Sequence, residues 1–156
     1  MKRRGSYGNL VFFMDKFAHE MEVGDAYAPL EIEITPEYHQ QYLYAAQDFD
    51  ARYVEGVDGS PPQVHAAMIL NLSSLTRSPS FKVAENTGTV MAETECQFHN
   101  PAYVGSTLTC TYDITKIFEK RGRAYQTVST EMTDDQGRMI LKRHTHVAIM
   151  RKEKPA

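Results

Sequence analysis

One apolar run constrains this chain more than any other feature. From Val64 to Leu75 the residues are Val, His, Ala, Ala, Met, Ile, Leu, Asn, Leu, Ser, Ser and Leu, and Pro61 and Pro62 stand just before them. Proline loses no hydrogen bond at a helix start, so the pair predicts where a helix begins, with His65 in its first turn. Apolar groups fall on every side of that helix, which must then be wrapped by other elements rather than laid on a surface. Burying it is the largest single driving force in the sequence, at about 1.5–3 kcal/mol per large apolar side chain.

The material for the wrapping lies downstream. "TGTVMAETECQFHNP", "STLTCTYDITKIF", "RAYQTVSTEMTDD" and "RMILKRHTHVAIM" are rich in β-branched and aromatic residues, and "AYVG", "EKRG" and "DQG" between them read as hairpin turns. In the second run Leu108, Cys110, Tyr112, Ile114 and Lys116 share one face, the pattern of an antiparallel sheet with one face covered. Upstream, Leu30, Ile32 and Ile34 alternate with Glu31 and Glu33, which predicts a further half-buried strand. Thr35, Pro36 and Glu37 then supply a cap, a pre-set first residue and a favourable charge for a short helix through Tyr38, Tyr42 and Ala46. "DFDARYVEGVDGS" has turn formers and no periodic run, so it reads as a loop. The expected fold class is α+β: an antiparallel curved sheet wrapped around one long central helix. Residues 1–156 are expected to form a single domain, with 1–20 as an N-terminal extension.

A net charge of −3 and a pI near 6.1 argue against a nucleic-acid or anionic-membrane surface. Cys96 and Cys110 lack any CxxC or zinc spacing and read as thiols in a reducing compartment. The apolar stretch "LVFFM" is cut off by Asp15, too short for a signal segment, and no later stretch is long enough to span a bilayer. The expectation is a soluble, cytoplasmic protein without nucleic-acid or membrane partners. His144 and His146 share a strand face without a third metal ligand, and His19, His39 and His99 carry no motif. No P-loop or dinucleotide fingerprint occurs.

Three segments carry a family likeness. "MDKFAHEMEVGDAY" resembles the entry segment of the MaoC-like acyl dehydratases and (R)-specific enoyl-CoA hydratases, whose fold is the hotdog fold. "YAAQDFDARY" resembles that family's hydratase motif, Gly-Asp-x-Asn-Pro-x-His. "PPQVHAAMILNLSS" resembles the start of its central helix, Ala-His-Gly-Met-Leu. The stretch from "FHNPAYVG" to "DDQGRMI" is similar to the family's second half, so the likeness runs from about Met21 to Met150. It places Asp48 on the catalytic aspartate, Asp50 on the loop-shaping asparagine and Tyr53 where the catalytic histidine stands. His65 falls on the histidine of the helix start, Ala66 on the glycine whose N–H faces the thioester carbonyl, and Ser74 on a site-lining helix serine. The departures are Gln47 for glycine, Ala51 for proline, Ala66 for glycine and Tyr53 for histidine.

The resemblance implies dehydration of 3-hydroxyacyl thioesters, or hydration of enoyl thioesters, without metal or redox cofactor. It implies a coenzyme A or carrier-protein substrate, and at least a homodimer, in which a second copy completes the sheet edge and the acyl tunnel. Such chemistry needs a base, an acid for the departing hydroxyl, and a donor for the enolate-like oxygen. Asp48 can serve as the base, and unpaired N–H groups at the helix start as the donor. A phenol, with its pKa of about 10, is a poor base near neutrality, and histidine is the natural shuttle there. Three arrangements stay open: Asp48 with Tyr53 runs the reaction, His65 takes the acid role, or the chain binds acyl thioesters without turnover. A hotdog thioesterase and an inactive acyl-binding subunit are the competing functions.

Overall fold

The computed structural model describes residues 16–152 of the chain. The expected N-terminal extension thus lies largely outside the described residues. Five strands, β1 (Ala26–Glu33), β2 (Thr87–Phe98), β3 (Thr107–Lys120), β4 (Arg123–Thr133) and β5 (Met139–Arg151), form an antiparallel sheet in the order β1-β3-β4-β5-β2. Register shifts after Tyr27, Met91, Ile114 and Met132 add the local bends that curve it. Leu108, Cys110, Tyr112 and Ile114 alternate inward as expected, but the shift after Ile114 releases Lys116 to solvent.

Three α-helices accompany the sheet, α1 (Pro36–Ala46), α2 (Ala51–Val54) and α3 (Ala66–Leu72), of which α1 and α3 pack against its core cluster. The Thr35 hydroxyl accepts from the Tyr38 N–H and Pro36 opens α1, the start its sequence predicts. Asp50 caps the single turn of α2, which the sequence alone left as loop. In α3, Met68, Ile69 and Leu72 pack into one cluster with Leu108, Tyr112, Val128, Met132, Ile140 and Leu141 of the sheet. The Tyr112 hydroxyl donates to the Leu72 carbonyl at 3.4 Å.

The central helix differs from expectation at both ends. It is seven residues long, and Pro61 to Val64 lie outside it. The Gln63 N–H donates to the Arg52 carbonyl and that of Val64 to the Ala102 carbonyl, while Gln63 bridges to Tyr103. Pairing with neighbouring backbone outcompetes helix there, so His65 is the cap rather than a first-turn residue. At the other end the Ser73 hydroxyl turns back onto the Leu70 carbonyl and the chain leaves the helix. The wrapping is one-sided as well, since Ala66, Ala67 and Asn71 are exposed.

"AYVG" is not a hairpin turn. The Val104 N–H donates to the Pro62 carbonyl and that of Gly105 to the Ile34 carbonyl, so this segment is stitched to the helix lead and to β1. Strand β2 accordingly pairs with β5 at the far edge, away from β3. Among the described residues, no helix is long and apolar enough to cross a membrane.

Candidate active site

The site is built where the end of α1 meets the start of α3. Gln47 closes α1 in the left-handed region, at φ 52, which reverses the chain and delivers Asp48. The Asp48 N–H donates to the Leu43 carbonyl at 3.3 Å, and its Oδ1 accepts from the Asp50 N–H at 3.2 Å. These two bonds fix the carboxylate without enclosing it.

Asp48 Oδ2 lies 3.0 Å from His65 Nε2. The same imidazole caps α3, because its Nδ1 accepts from the Ala67 N–H at 3.1 Å. A nitrogen that accepts carries no proton, so the neutral ring holds its proton on Nε2 and donates it to Asp48. Tyr53 and Tyr42 flank the ring, with centroids at 4.7 and 5.3 Å. Tyr53, at the position of the motif histidine, is thus a wall against His65, and it is the histidine from the helix that reaches the aspartate.

His39 was the residue the sequence did not single out. It is 3% exposed, and its Nε2 accepts from the His65 backbone N–H at 3.1 Å. Burial first, and the neighbouring His65 second, push its pKa below the ordinary 6.5, which favours the neutral ring an acceptor must be. Its one signal is its place one turn before Leu43, on the buried face of α1. With the His65 N–H taken by His39 and the Ala67 N–H by His65, the Ala66 N–H is left without a partner among the described residues.

The remaining residues fall elsewhere. Both Asp50 oxygens are engaged by the Arg52 guanidinium at 3.0 and 3.1 Å, and Oδ1 also by the Arg52 N–H. Ser74 follows α3 at its other end, beyond the helix, with its hydroxyl 3.0 Å from that of Thr76. Behind Tyr53 a cleft of about 310 Å³ is lined by His39, Leu43, Phe49, Tyr53, Pro62 and Val104 among others. Among the described residues no group of His, Cys, Asp and Glu is placed to hold a metal ion.

A curved five-stranded antiparallel sheet folded over a short apolar helix defines the hotdog fold. A family model, the FAS1-like dehydratase domain region, matches residues 21–143, and the chain belongs to this family of MaoC-like hotdog dehydratases. Solved structures agree on the fold. A monoamine oxidase regulatory protein from Archaeoglobus superposes with a TM-score of 0.71 at 14% identity, covering 89% of this chain and 96% of its own. A MaoC-like dehydratase from Rhodospirillum rubrum gives 0.66 at 17%, covering 90% and 99%. An (R)-hydratase from A. caviae involved in PHA biosynthesis gives 0.61 at 17%, covering 87% and 100%. No curated protein sequence matches the chain.

Proposed function

We propose that the protein adds water to enoyl thioesters and, in reverse, dehydrates 3-hydroxyacyl thioesters, with Asp48 as the proton carrier. The observation that carries this reading is the Asp48–His65 pair beside the Ala66 N–H, which has no partner among the described residues. In hydration, Asp48 takes a proton from water as the oxygen bonds to the β-carbon. The electron pair of the double bond shifts toward the α-carbon and the thioester carbonyl, whose developing oxyanion accepts from the Ala66 N–H. The Asp48 carboxyl then gives its proton to the α-carbon and returns to the carboxylate. Atoms and charge balance without a second titrating group. His65 orients the carboxylate through Nε2–H, and Asp48 keeps free lone pairs for the water. Tyr53 holds the imidazole by packing and has no proton role. The family model that matches the chain is that of a dehydratase domain region, which supports this chemistry over hydrolysis.

The substrate is a coenzyme A or carrier-protein thioester, and the working unit pairs two copies through β2. From Val90 to Glu95 that edge strand is exposed, and Val90, Met91 and Phe98 are each more than half exposed. A long exposed edge strand invites another strand.

The test is incubation with crotonyl-CoA, following loss of enoyl absorbance together with release of free thiol. Enoyl loss without thiol is expected, reduced at least ~100-fold by Asp48→Asn. Unchanged turnover in that variant, or thiol release without enoyl loss, overturns the reading.

A further inference from the structure

The start of α3 offers three successive backbone N–H groups, those of His65, Ala66 and Ala67. An imidazole occupies the first and another the third. His39 reaches across from α1 to accept from His65, and this contact sets the backbone from which the His65 side chain is aimed. With His65 at φ −57 and ψ 130, its Nδ1 sits over the Ala67 N–H and its Nε2 against Asp48. The chain of contacts is therefore directional: His39 holds the His65 backbone, the His65 backbone aims the ring, and the ring holds Asp48.

We infer that His39 is a positioning residue for the proposed reaction, fixing His65 in its Nε2–H form and leaving the Ala66 N–H as the one open donor of the three. This rests on the hydration reading above for its catalytic consequence, though not for its structural one. Two features of the position support it. His39 is an imidazole where a buried α1 residue would ordinarily be apolar like Leu43, so its polarity has to be explained by what it bonds. Its only hydrogen-bond partner through Nε2 among the described residues is the backbone of the residue that contacts Asp48. Losing such a support can cost up to about 100-fold in activity, because a displacement of about 1 Å at the reacting groups is enough.

Three variants separate positioning from folding. His39→Gln places a carboxamide oxygen near the position of Nε2 and can still accept from the His65 N–H. His39→Asn has the same chemistry but is too short to reach, and His39→Leu has no acceptor. The expected result is a kcat for crotonyl-CoA hydration lowered about 10–100-fold in the Asn and Leu variants, KM changed less than about threefold, and the Gln variant within about threefold of the parent. In parallel, nitrogen-15 shifts of the His65 ring report its tautomer without any turnover. The parent and Gln variant should show one form, protonated on Nε2, and the Asn variant a mixture of the two. If Asn and Leu retain both the single tautomer and the parent kcat, or if Gln falls as far as Asn, the inference fails. A parent without hydratase activity whose His65 tautomer still depends on residue 39 would sink the reaction and leave the positioning role standing.

Discussion

His65 Nε2 and Asp48 Oδ2 are 3.0 Å apart, although they stand seventeen positions apart in sequence with the whole of α2 between them. One imidazole thereby does two jobs: it caps the central helix through one nitrogen and holds the candidate base through the other.

The two jobs can be taken apart. Asparagine is a good cap residue but cannot reach Asp48. His65→Ala is expected to lower stability by about 1 kcal/mol and kcat by about 100-fold. His65→Asn should recover most of the stability and little of the activity. Urea midpoints together with crotonyl-CoA kinetics read both quantities, and recovery of activity by Asn would show that the Asp48 contact is dispensable.

Gln47 stands in the left-handed region where the family motif has glycine. A side chain there costs about 1 kcal/mol, which glycine avoids. Gln47→Gly should therefore raise the urea midpoint slightly, by a gain in stability of at most about 0.5 kcal/mol once the greater freedom of the unfolded glycine is deducted, with the denaturant slope unchanged. A lowered midpoint would mean the Gln47 side chain contributes more than its backbone costs.

Stability at low pH should depend on Asp134. Burial works to raise its carboxyl, but hydrogen bonds from the Arg138 backbone and guanidinium and from the Gln136 N–H outweigh it, and the pKa is held below the ordinary 3.8. A carboxylate with a lowered pKa stabilises the fold above its unfolded value, and the effect is lost as pH falls through the folded one. Thermal melts of the parent and Asp134→Asn should differ at pH 6, and the gap should begin to narrow as pH falls below about 4, closing only below the lowered folded pKa. A gap that does not narrow between pH 6 and pH 2.5 would assign the effect to something other than charge.

The exposed edge makes a mass prediction. The parent should sediment as a pair of chains, and replacing Val90 and Phe98, each 52% exposed, by lysine should yield single chains. A parent that sediments as one chain, or a variant that still pairs, would move the interface away from β2.

Much of this fold could be read from local pattern. The alternation in β1 and β3, the Thr35–Pro36 helix start and the apolar helix residues Met68, Ile69 and Leu72 all act through neighbours in sequence, where spacing shows which face is buried. The "AYVG" segment shows the limit. It has the composition of a turn, yet its backbone is claimed by Pro62 and Ile34, and no local signal tells a hairpin from a crossover. The short helix is a similar case, because the residues before it pair with Arg52 and Ala102, partners remote in sequence.

By itself the sequence determined a β-rich chain enclosing an apolar helix, and it marked Asp48 and His65 as residues of interest through their motifs. Only the tertiary structure decided that these two touch, that Tyr53 packs as a wall, and that His39, which has no motif, secures the His65 backbone. The reason is physical. Apolar spacing encodes which side chains leave water, a property summed over many residues, whereas a hydrogen bond between α1 and α3 depends on where two separate elements come to rest.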